Sequence, residues 1–136
     1  MPFPVAGTGY QVGDGNELSP NFYIQAAPVS FTTDPTPTPA QLAGISLFIG
    51  NPGGAINFTL PTVAALETAY QAMGEKPNTA FEFIIVNINA TNAITVVTNT
   101  GWTITSGGSM TVALSTSARF QARKTGAGAW QLYRIA

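Results

Sequence analysis

From Gly44 to the C-terminus, apolar residues come in short runs with near-alternating spacing, each closed by Gly, Pro, Asn or Ser. ISLFI runs into GNPGG. AINFTL places Ile56, Phe58 and Leu60 on one side of an extended chain, and FEFIIVNI is rich in aromatic and β-branched residues. AITVVT, GWTIT, SMTVAL, ARFQARK and AWQLYRI follow, with turn residues between them. A period of two between such punctuation predicts about eight β-strands. Many short strands at near-regular spacing favour an all-β sandwich or barrel.

The period changes once. After Pro61-Thr62, the stretch VAALETAYQAMGEK carries Val63, Leu66, Tyr70 and Met73 at helical spacing. Thr62 is placed to cap this helix and Gly74 to stop it. The short helix is expected to lie across one open end of the barrel, with Glu67 and Glu75 facing water, because carboxylates are rarely buried.

Residues 1–40 follow a different rule. Seven of the ten prolines lie there, and DPTPTPA is an extended segment whose prolines fix φ and remove backbone donors. Phe3, Tyr10, Phe22, Tyr23, Ile24 and Phe31 are too apolar a set for an ordinary linker. The division expected is therefore an extended arm, 1–40, and a β-barrel domain, 41–136, the arm being ordered by packing on its own barrel or on a neighbouring subunit. Phe3, Tyr10, Phe22 and Tyr23 are its candidate partner-binding residues.

Composition narrows the chemistry. The 136 residues hold 8% charged side chains with a formal net charge of −1, so no global field draws in nucleic acid or an anionic membrane. Residues 35–66 and 83–118 carry no charge, yet Thr, Asn, Gly and Pro interrupt both runs, and neither suits a membrane span. The N-terminus shows no basic segment followed by an apolar one, so no export signal is expected. There is no His and no Cys, which removes the usual triads, thiol nucleophiles and zinc or copper ligand sets. The acidic residues Asp14, Glu17, Asp34, Glu67, Glu75 and Glu82 are spread over the arm, the helix and one strand, a poor basis for paired-carboxylate catalysis. GTGYQVG lacks the spacing of a phosphate loop, and DGNE lacks the alternating ligands of a calcium loop. The expectation is a protein that is not an enzyme and has no cofactor or metal.

Four of the five basic residues, Arg119, Arg123, Lys124 and Arg134, fall in the terminal stretch RFQARKTGAGAWQLYRIA. ARFQARK and AWQLYRI predict a hairpin with a longer loop at TGAG. Alternation turns Phe120 and Ala122 inward with Trp130 and Leu132, and sets Arg119, Gln121 and Arg123 outward beside Gln131, Tyr133 and Ile135. A basic patch from a single hairpin is poor for nucleic acid, which is gripped from several elements. A mixed Arg, Tyr and Ile face suits protein contact. Arg119, Arg123 and Tyr133 are thus candidate contacts to a protein partner or a subunit.

The segments LPTVAALETAYQAM, FEFIIVNINATNAITVVTNTGW and GGSMTVALSTSARFQARKTGAGAWQLYRIA, from about Leu60 onward, resemble tailed-bacteriophage head decoration (cement) and head-fibre-like virion proteins. The resemblance implies a jelly-roll or barrel module, a homotrimer, and attachment to the exterior of a virion after assembly in the host cytoplasm. The partner it implies is the major capsid protein, which such a module stabilises by bridging neighbouring copies. A carbohydrate-binding module or host-adhesion fibre tip is the alternative, with Trp102, Trp130, Tyr70 and Tyr133 as platforms. Trp102, just after a turn, is expected in the core or at a barrel end.

Overall fold

A computed structural model describes residues 22–71, 76–105 and 109–136. It contains nine strands: β1 (Val29–Phe31), β2 (Leu47–Gly50), β3 (Ile56–Thr59), β4 (Ala80–Asn87), β5 (Ile94–Val97), β6 (Trp102–Ile104), β7 (Thr111–Val112), β8 (Thr116–Gly126) and β9 (Ala129–Arg134). All eight segments expected to be strands form one. β1 was not among them: it arises inside the proline-rich arm and pairs in parallel with β2. Residues 29–31 thus belong to the sheet and are not a free tether.

The strands form two sheets, ordered β1-β2-β4-β8-β9-β6 and β3-β5-β7, and neither closes on itself. The barrel expectation is therefore corrected to a mostly β, sandwich-like pair of open sheets. The chain leaves the larger sheet after β2, β4 and β6, contributes β3, β5 and β7 to the smaller one, and returns each time. Such excursions act as crossovers, and a crossover is what a parallel pair requires. Accordingly β1–β2, β2–β4 and β6–β9 are parallel, while β4–β8 and β8–β9 are antiparallel.

The two sheets face each other across an aromatic core. Phe58 of β3 meets Phe48 of β2 edge-on at 4.9 Å and stacks near Phe83 of β4 at 6.1 Å; Phe83 stacks in turn on Phe120 of β8 at 5.2 Å. Offset and edge-on pairings at these separations add to the stabilisation from burial. Gly50 leaves room for this packing: a Cβ there would lie 2.5 Å from Ile94 Cδ1 and 2.7 Å from Phe31 Cζ.

Helix α1 (Val63–Ala69) starts as its sequence predicts, with Thr62 Oγ1 accepting from Ala65 N–H at 3.2 Å. Val63 and Leu66 enter the core. Tyr70 is its C-cap; Met73, Gly74 and Glu75, where the helix was expected to continue and stop, lie outside the described residues. A second helical turn, Ala40–Ile45, was not foreseen; it buries Leu42 and ends on Ser46 with φ 65°. The terminal hairpin is also tighter than expected. β8 continues to Gly126, leaving Ala127 and Gly128 as the turn, with Gly128 at φ 65° and a register shift between Lys124 and Gly126.

Candidate interaction surface

β8 and β9 set the geometry of the basic face. Phe120, Ala122 and Leu132 are buried, so Arg119, Gln121, Arg123, Gln131 and Tyr133 occupy the opposite, outer face of the larger sheet, as alternation predicts. Tyr133 stands opposite Gln121, and Gln131 opposite Arg123. The Arg123 guanidinium is held by neutral groups: Nε and Nη2 donate to Tyr133 Oη at 3.1 and 2.8 Å, and Nη1 donates to Asn78 Oδ1 at 2.7 Å. Its carbon lies 5.8 Å from the Tyr133 ring centroid. The guanidinium is thereby fixed in place while keeping its full charge, an arrangement suited to a carboxylate on a partner.

Arg119 differs. Its Nε lies 3.6 Å from Glu82 Oε1, and both side chains are about half exposed, so the pair adds little to stability. Arg134 turns away to donate to the carbonyls of Ser109, Thr111 and Ala136 and ties the chain end to β7. Arg119, Arg123 and Tyr133 thus share one face. Phe22 and Tyr23 stand apart from it and are nearly fully exposed, at 89% and 84%. Phe3 and Tyr10 lie outside the described residues.

Two expectations fail at the other end of the hairpin. Lys124 is not part of the surface cluster but is buried, 4% exposed. It shares strand parity with Phe120 and Ala122 and so points between the sheets. Glu67 does not face water: its Oε2 accepts from Lys124 Nζ and, at 3.1 Å, from Trp130 Nε1. Partial burial pushes the Glu67 carboxyl up. Hydrogen bonds from Lys124 and Trp130, the Lys124 charge and a backbone bond from Gly128 outweigh it and hold the group below the usual carboxylate range. The cluster ties α1 to β8 and β9 through one carboxylate and reads as a structural clamp.

The sugar platforms fare unevenly. Trp102 is buried, as expected, and donates Nε1–H to the Pro61 carbonyl at 2.7 Å. Trp130 is buried as well, packing against Trp102 at 6.0 Å and Phe81 at 5.7 Å between centroids. Tyr70 lines a mostly apolar cavity of about 110 Å³ with Leu66, Phe81 and Trp130. Of the four aromatics, only Tyr133 is on the outer sheet face, and its hydroxyl is engaged by Arg123.

Sequence reasoning missed Asn87. It is 1% exposed on the inner face of β4. Its Nδ2 is shared among the carbonyls of Asn92, Val112 and Ala113 at 2.9 to 3.2 Å, and its Oδ1 accepts from Asn89 N–H at 3.0 Å. Asn89 Nδ2 then donates to Asn51 Oδ1, and Asn92 Nδ2 to the Pro52 carbonyl. The signal was present in the alternation of FEFIIVN, which puts Asn87 on the same side as Phe83 and Ile85.

No family model, no curated protein and no solved structure matches this chain. Function is therefore argued from the surface itself. Among the described residues no cluster of acidic groups is arranged to hold a metal ion, and no helix is long and apolar enough to cross a membrane.

Proposed function

We propose that this chain is a decoration protein of a tailed-phage virion: a homotrimer that binds the capsid exterior and bridges neighbouring major capsid proteins. The observation that carries this reading is the exposure of Phe22, Tyr23 and Ile24 at 89%, 84% and 99%, ahead of a domain whose own core is already filled. Apolar residues held in water within the arm fit a clamp for a partner. Sparse charge and a face of Arg119, Arg123 and Tyr133 suit a surface that spends its life covered by protein. The capsid as partner is taken from the resemblance of the segments from about Leu60 onward to cement and head-fibre-like proteins. In this reading the module is a sandwich of two open sheets whose parallel pairs set it apart from an antiparallel jelly roll.

Proline-containing extended segments lose less entropy on docking, so burial of the arm aromatics, about 1.5 to 3 kcal/mol for each side chain, goes largely into binding. Three arms on a trimer add avidity. Deleting residues 1–27 is expected to leave a domain with unchanged circular dichroism that binds undecorated capsids at least about tenfold more weakly, a loss of about 1.4 kcal/mol or more. If the truncated protein binds as tightly as the full chain, the arm is not the clamp, and the Arg119, Arg123 and Tyr133 face becomes the contact to test.

A further inference from the structure

The outer face of the larger sheet is not uniformly polar. In β2 and β4, Leu47 pairs with Ile84 and Ile49 with Val86, and all four point away from the core that holds Phe48, Phe83 and Ile85. Ile88, just beyond β4 and of the same parity, continues the line. Ile84 is 37% exposed and Ile88 57%. Ser30 of β1 borders this stripe on one side, and Ser117 and Arg119 of β8 border it on the other. A ribbon of branched aliphatics between polar margins has the width of one or two extended chains, since neighbouring strands lie about 4.8 Å apart.

The arm is the matching piece. Residues 22–28 are extended and exposed, and Phe22, Ile24 and Ala26 fall on one side of such a chain. In its own molecule the arm leaves past the end of the sheet, where Gln25 Nε2 donates to the Ile45 carbonyl at 2.6 Å, two residues before β2 begins. Among the described residues nothing lies over its own stripe at Ile84 and Ile88, and Phe22, Tyr23 and Ile24 remain in water. A seven-residue extended segment reaches up to about 23 Å, enough to cross the width of a neighbour's stripe.

We propose that copies of this chain join head to tail, with residues 22–28 of one copy lying on the Leu47, Ile49, Ile84, Val86 and Ile88 stripe of the next. The two surfaces differ, so the contact is heterologous. Such a contact generates a ring when the rotation closes and a filament when it does not. The inference rests on the proposed homotrimer for the size of the ring; it commits Phe22, Ile24 and Ala26 to the neighbouring copy, so the capsid contact of the same trimer falls to Tyr23, on the other side of the arm, and to the Arg119, Arg123 and Tyr133 face.

The chain has no cysteine, so an introduced pair reports only on itself. Full-length protein carrying Ile24→Cys and Ile84→Cys, treated with a short bis-maleimide, is expected to run as a covalent trimer on a denaturing gel. Ile88→Glu in the otherwise unaltered chain is expected to shift the mass in light scattering from trimer to monomer, with circular dichroism unchanged. An internally cross-linked monomer would place the arm on its own sheet and overturn the proposal. A trimer that neither cross-links nor responds to Ile88→Glu would overturn it too, because some other surface then holds the copies together. Cross-linked trimers that leave capsids undecorated would refute the capsid partner and leave this contact standing.

Discussion

Glu67→Ala is expected to lower the free energy of unfolding by about 3 kcal/mol, because it strands the Lys124 ammonium between the sheets. Lys124 is 4% exposed and has no other acidic group beside it among the described residues. Glu67→Ala also orphans the Trp130 indole N–H, which donates to the same oxygen. The reverse change costs less. Lys124→Met leaves a carboxylate that is 24% exposed and still bonded to Trp130, so about 1 kcal/mol is expected. Glu67→Gln keeps an acceptor for both donors and falls between the two. Urea unfolding of the three variants checks the order; equal losses below about 0.5 kcal/mol would mean that the pair is as well solvated as a surface salt bridge.

The acid response follows from the same group. Glu67 has a folded-state pKa below its ordinary value of 4.5, so the unfolded chain takes up the proton first as pH falls. Its contribution is whole above the ordinary carboxylate value and is lost as pH drops through the lower folded value. The wild type is expected to lose stability over that window, with the slope reduced in Glu67→Gln.

Asn87→Leu is expected to cost about 3 kcal/mol. Leucine has a similar volume but leaves the Asn89 N–H and the carbonyls of Asn92, Val112 and Ala113 without their shared partner, the Val112 carbonyl in a buried site. The loss spreads, since Asn89 and Asn92 tie this loop to Asn51 and Pro52 at the start of the β2–β3 connection. Asn87→Asp sharpens the test. A carboxylate facing carbonyl oxygens is disfavoured, which raises its folded pKa, so this variant is expected to regain stability as pH falls, opposite to the Glu67 effect. Amide exchange at residues 88–92 provides the local readout, and protection equal to wild type in Asn87→Leu would show that the side chain is not the clamp.

Much of this architecture was legible in the chain because side-chain alternation is a local property. FEFIIVN and ARFQARK told which residues face inward, and the helix start at Thr62 could be read from its cap. Three features escaped for different physical reasons. Sheet closure is a property of edges that no single strand reports, so open sheets and a barrel have the same pattern. β1 is three residues long and sits behind Pro28, and it exists only because β2 offers an edge to pair with. Lys124 and Asn87 occupy inward positions by parity, but alternation alone does not say which partners would satisfy a buried ammonium or amide there. Glu67 was misplaced with Lys124, since a half-buried carboxylate on a short helix makes sense only once its partner is known. The outward set, Arg119, Arg123 and Tyr133, needed nothing beyond alternation. Fixation of Arg123 by Asn78 did need the fold, because forty-five residues separate them.

Sedimentation of the purified full-length protein with undecorated tailed-phage capsids tests the proposed decoration role most directly. The account predicts saturable co-sedimentation, at a stoichiometry that is a multiple of three per lattice site, and capsids that withstand higher temperature once bound. Protein that stays in the supernatant at saturating concentration, with capsid stability unchanged, would contradict it.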